Sequence, residues 1–88
     1  MQSIDELLEI LKRDHKVCFW HKGFNYVIVE TVVYDNEILE EVYTGQYRLL
    51  IDNDIQNDHT ATINLVKIWL LNILKGLPFN HEIKAIRF

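Results

Sequence analysis

The sequence predicts an α+β domain: a helix, an antiparallel sheet of three to four strands, a long apolar helix and a short C-terminal strand. Three observations carry that expectation. A capped amphipathic helix opens the chain. A run rich in β-branched and aromatic residues fills the middle. An apolar stretch at helical spacing follows it.

The opening helix has the clearest signal. Ser3-Ile4-Asp5-Glu6 has the S-x-x-E form of a capping box. Ile4, Leu7, Leu8 and Leu11 then share one face. Asp5 and Glu6 sit at the positive end of the helix dipole, and Lys12 and Arg13 at the negative end. The helix is expected over residues 4–13.

The β region begins with a strand over residues 16–21. Lys22-Gly23 supplies a tight turn, since glycine tolerates positive φ. A second strand follows over 25–34, Asp35-Asn36 turns the chain, and a third strand runs from 37 to about 44. Gly45 is either a bulge or a further turn, and 46–51 is a continuation or a fourth strand. Residues 52–58 read as a polar loop, with Asp58 or Thr60 capping a second helix that reaches Lys75. Gly76 and Pro78 end that helix. Residues 82–88 alternate as a short edge strand.

Two packing problems arise. Along the second and third strands one face carries Val27, Val29, Thr31, Val33, Ile38 and Val42, and the other Tyr26, Ile28, Glu30, Val32, Leu39, Glu41 and Tyr43. The first strand adds Cys18 and Trp20 to one side and Val17 and Phe19 to the other. Both faces are apolar, whereas a sheet with one wet face should alternate apolar and polar. Something must cover the second face. The same pairing sets Glu30 opposite Glu41, which is unfavourable. A three-residue turn that shifts the register is the expected solution. On the second helix Leu65, Val66, Trp69, Leu70, Ile73, Leu74 and Leu77 form the apolar face, with Asn64, Lys67, Asn72 and Lys75 opposite. Ile68 and Leu71 fall among those polar residues and offer a seam for a second copy.

Composition narrows the class. The chain has 88 residues, enough for one domain, residues 1–88, and 49% are hydrophobic, enough for a core without staples. Cys18 is the one cysteine, so no internal disulfide forms, which fits a reducing compartment. Asp5, Glu6 and Glu9 stand where a secretory signal would be basic and then apolar. The longest apolar stretch, residues 63–74, is interrupted by Asn64, Lys67 and Asn72. It is also shorter than the ~20 residues that span a bilayer. A cytoplasmic protein that does not enter membranes is the expectation. Net charge is −4, so phosphate backbones are repelled and direct nucleic-acid binding is disfavoured.

No residue constellation announces chemistry. Ser3 is the lone serine and serves as a cap, so a serine triad has no nucleophile. Cys18 lies between Val17, Phe19 and Trp20, which predicts a buried, inert thiol. Cys18 and His21 are three apart on a strand and should point to opposite faces, so they do not make half a zinc site. Asp52-Asn53-Asp54 begins like a calcium loop, but the required glycine is Asn57 and the required glutamate is Ile63. Gly23, Gly45 and Gly76 do not cluster into a phosphate cradle. The expected protein is therefore no enzyme and needs no cofactor or metal.

Met1, Asp5, Glu9, Ile10, Asp14 and Val17, with Leu7 and Arg13 as similar residues, line up without gaps with the start of one other family. On these positions the chain resembles small phage-encoded anti-CRISPR proteins that block Cas9. The order helix, three strands, helix matches too. That family uses acidic residues to mimic DNA in the cleft that reads the target-flanking motif. This chain is less acidic, has a more apolar last helix and adds a C-terminal segment. No individual residue role carries over. The resemblance implies a phage inhibitor as one candidate.

The preferred expectation is a small acidic interaction or regulatory protein that occludes a partner protein, itself one that can bind nucleic acid. Its contact groups are the acids and aromatic near the turns: Asp35, Glu37, Glu40, Glu41, Tyr43, Asp52 and Asp54. A second expectation is a homodimer or assembly subunit joined through the apolar helix, at Ile68 and Leu71, or through the open sheet face. A third is a small ligand-binding domain or enzyme using Cys18.

Overall fold

Two helices lie on one face of a four-stranded antiparallel sheet, in a computed structural model that describes residues 3–56 and 59–75. The order is α1 (Ile4–Asp14), β1 (Lys16–His21), β2 (Phe24–Asp35), β3 (Glu40–Ile51), β4 (Asp54–Ile55) and α2 (Ile63–Lys75). The strands follow chain order in the sheet, as an up-and-down meander. The expected strand over 82–88, and Leu77, lie outside the described residues.

Local chemistry explains most element ends. The Ser3 hydroxyl accepts from the Glu6 amide at 3.2 Å and starts α1. His15 ends it in a left-handed conformation, its amide bonded back to Leu11. Lys22 and Gly23, both at positive φ, join β1 to β2, and Asp52 and Asn53, also at positive φ, join β3 to β4. Two positive-φ residues between paired strands make the tight turn whose twist matches the hairpin. Asp54–Ile55 is thus a short strand within what the sequence presents as loop. Ala61 then bridges Tyr47 before α2 begins at Ile63, three residues beyond Thr60.

The core sits between the helices and one sheet face. Alternation along β1 turns Val17 and Phe19 inward, paired with Ile28 and Tyr26 of β2, which pair in turn with Leu49 and Ile51 of β3. Leu7, Leu8 and Leu11 of α1 and Val66, Trp69, Leu70 and Ile73 of α2 close over them. Asn72, expected on the polar side of α2, is buried, with its Nδ2 atom lacking a hydrogen-bond partner. Ile68 and Leu71 are exposed, as the helical wheel suggests.

Cys18 corrects a sequence expectation. It is exposed. Apolar neighbours in sequence suggested burial, but on a strand the two adjacent residues point the opposite way. Cys18 and Trp20 therefore share the outer face with Val27, Val29, Leu50 and Ile55, away from both helices. The second apolar face of the sheet is present, and neither helix covers it.

Candidate interaction surface

The most distinctive feature is a two-stranded arm. β1 stops pairing where Lys16 meets Val29, and β4 touches only Leu50 and Ile51. Beyond Glu30 the ribbon of β2 and β3 continues alone.

The joint between body and arm is a bulge. Glu30 opposes Tyr47, yet Val32 opposes Tyr43, so β3 holds two more residues than β2 across the step. Gly45, at φ +75, makes the irregular turn of the strand. Two threonines stitch it: their hydroxyl oxygens are 2.6 Å apart, the Thr31 hydroxyl reaches the Gln46 carbonyl at 3.1 Å, and the Gln46 amide donates to Thr44 Oγ1. The loop answers the like-charge problem: four residues between Asp35 and Glu40, in place of a three-residue turn, set Glu41 opposite Tyr34 and not Glu30.

Glu30 fastens the joint. Its side chain is 9% exposed. One carboxylate oxygen accepts from the Gly45 amide at 2.8 Å, and the other lies 2.9 Å from His15 Nδ1. The Glu30 amide donates to the His15 carbonyl. The His15 ring stacks on Tyr43 with centroids 3.7 Å apart and planes within 7°. The left-handed end of α1 thus grips the base of the arm through one edge and one face of a single imidazole. Burial, with Glu30 nearby as the second cause, holds the Tyr47 phenol above its ordinary pKa.

The arm itself is apolar and acidic. Val32, Val33, Tyr34, Ile38, Leu39 and Tyr43 are all exposed. Residues 31–44 hold four of the thirteen acids, Asp35, Glu37, Glu40 and Glu41, and none of the nine lysines and arginines. The remaining nine acids balance the nine bases, so the whole formal charge of −4 belongs to the arm.

The tip is built against propensity. The loop is Asn36 to Leu39, closed by the Leu39 amide on the Asp35 carbonyl at 2.8 Å, while Asp35 Oδ1 accepts from the Glu37 amide. Leu39 takes φ 58 and is 71% exposed. Glycine or asparagine suits that conformation better. An exposed leucine in a left-handed position contributes little to the fold.

The structure gathers five expected contact residues, Asp35, Glu37, Glu40, Glu41 and Tyr43, on this arm. It separates the other two. Asp52 and Asp54 lie past the far end of β3, about 35–40 Å along an extended twelve-residue strand. Asp52 is structural there: its Oδ1 accepts from the Asn25 amide at 3.0 Å. Sequence reasoning missed Ile38 and Leu39, which look like strand residues. The signal that could have found them is a hairpin loop with no glycine and two adjacent aliphatics.

Among the described residues no cluster of His, Cys, Asp and Glu is arranged to hold a metal ion, and no helix is long and apolar enough to cross a membrane. The chain matches no protein-family model, no curated protein and no solved structure. The fold is α+β, two helices on a four-stranded antiparallel meander, and the candidate surface is its protruding hairpin.

Proposed function

We propose that this chain is a non-enzymatic interaction protein that occludes a basic, apolar-floored surface on a partner protein by means of its arm. The observation that carries the reading is the concentration of net charge and exposed apolar side chains on one projecting ribbon. Exposed aromatic and aliphatic anchors ringed by like charge suit a cationic groove: the anchors supply affinity and the charge supplies rate and partner choice. A partner that itself binds nucleic acid has such a groove. The resemblance at the N-terminus makes a phage or mobile-element inhibitor, of the anti-CRISPR kind, the first candidate within this class.

The test is a paired affinity capture. One variant carries Glu37→Lys, Glu40→Lys and Glu41→Lys. A control carries Glu9→Lys on the exposed side of α1. The proposal expects a protein held by wild type and control and lost by the triple variant, with circular dichroism unchanged. Equal capture by all three contradicts it. Inhibition of RNA-guided DNA cleavage is assayed alongside, and no inhibition removes the anti-CRISPR candidate alone.

A further inference from the structure

The outer face of the sheet carries a pattern of its own. Its residues fall into three cross-strand rows. The first is Lys16, Val29 and Arg48; the second Cys18, Val27, Leu50 and Ile55; the third Trp20 and Asn25. Cations mark the first row, the middle is apolar, and an indole marks the third. Trp20 is 73% exposed and Ile55 60%.

We propose that this face is an isologous dimer interface whose occupant is a second copy of the chain. In face-to-face stacking the two-fold axis can lie along the strands or along the rows. An axis along the strands sets Lys16 and Arg48 against the same cationic row of the other copy. An axis along the middle row sets the first row over the third. Lys16 then meets the partner copy's indole ring, a contact occurring twice. Cation–π pairing favours that choice. The middle row then meets itself, which brings the two Cys18 residues to one another across the axis.

The size of the face sets the strength. Four strands and three rows cover about 20 × 20 Å, roughly 400 Å² per copy. That is about half the area per partner of a standard tight interface. The dimer is therefore weak and concentration-dependent, and it leaves the arms projecting. It does not depend on what the arms bind.

The test is sedimentation of the full chain from about 10 μM to about 1 mM, the range a weak interface spans. A short bis-maleimide, which couples Cys18 to Cys18, is applied across the same range. A dimer that grows with concentration and couples in parallel is expected. Lys16→Glu and Trp20→Ser, both at exposed positions, each weaken dimerisation about tenfold, because each contact is lost twice. Three results overturn the proposal. One is a monomer at every concentration. Another is a dimer indifferent to both substitutions, which moves the interface elsewhere, for instance to Ile68 and Leu71 on α2. The third is a Cys18 that resists a simple maleimide in the dilute monomer, which shows the chain covering that face itself.

Discussion

Leu39→Gly isolates what the tip of the arm contributes to folding. Left-handed backbone costs an L-residue about 1–2 kcal/mol. Glycine relieves that cost but adds freedom to the unfolded chain, which takes back about 0.5–1 kcal/mol. The lost side chain is 71% exposed. With under a third of its area buried, truncation forfeits roughly 0.5–0.8 kcal/mol of the ~1.5–3 that full burial of leucine gives. The sum is close to neutral, between about 0.8 kcal/mol of lost and about 1 kcal/mol of added stability. Leu49→Ala is the internal comparison. Leu49 is fully buried near the C-terminal end of β3, and its truncation should cost about 2–5 kcal/mol. Urea unfolding of both variants reads the contrast directly, with m unchanged for Leu39→Gly. A loss above about 1 kcal/mol for Leu39→Gly would refute the reasoning, because it would show the residue packed into the fold.

Other expectations follow from the joint and the core. Glu30→Ala strips the Gly45 amide and the His15 ring of their shared acceptor and should cost about 2–4 kcal/mol. Glu30→Gln, which keeps a carbonyl for Gly45, should cost about 1–2, and equal losses in denaturant would deny the carboxylate its double role. Gly45→Ala meets no atom within 4 Å of the new Cβ. Its loss should thus be backbone strain alone, about 1 kcal/mol, and a much larger value would reveal packing at the bulge. Tyr26 and Tyr47 have pKa values raised chiefly by burial, with Asp52 and Glu30 as the lesser causes. A group raised in the folded chain contributes its full stability below the ordinary phenol value of about 10 and loses it as pH climbs through the raised one. Phenolate absorbance should therefore show two tyrosines titrating late, together with alkaline unfolding; early titration of both would contradict their burial.

The sequence made some of this legible and hid the rest for identifiable reasons. Strand β1 was readable to the residue, because Lys22-Gly23 fixes where it ends. The two-faced sheet was readable from the parity of Val27, Val29, Thr31 and Val33 against Tyr26 and Ile28. Cys18 was misread as buried from its sequence neighbours, whereas the structure exposes it on the face opposite Val17 and Phe19. Alternation outranks local hydrophobicity on a strand. The arm was only half legible. Its acids were visible, but Ile38 and Leu39 belong to the loop and not to a strand, because the loop is closed by Asp35 and tolerates an aliphatic at positive φ. β4 was hidden because it has two residues and owes its existence to the turn at Asp52 and Asn53. Asn72 was misplaced because a helical wheel of α2 knows nothing of the first helix or the sheet beside it. The bond between Glu30 and the bulge joins residues fifteen apart, beyond any local pattern.

The account turns on the arm as the part of this molecule that touches its partner. Hydrogen exchange on the full chain, alone and bound to the protein that it captures, tests this at residue level. Backbone amides within residues 31–44 should become protected on binding, with α1 and α2 unchanged. Protection confined to the helices, with the arm exchanging as fast as in the free chain, would contradict it.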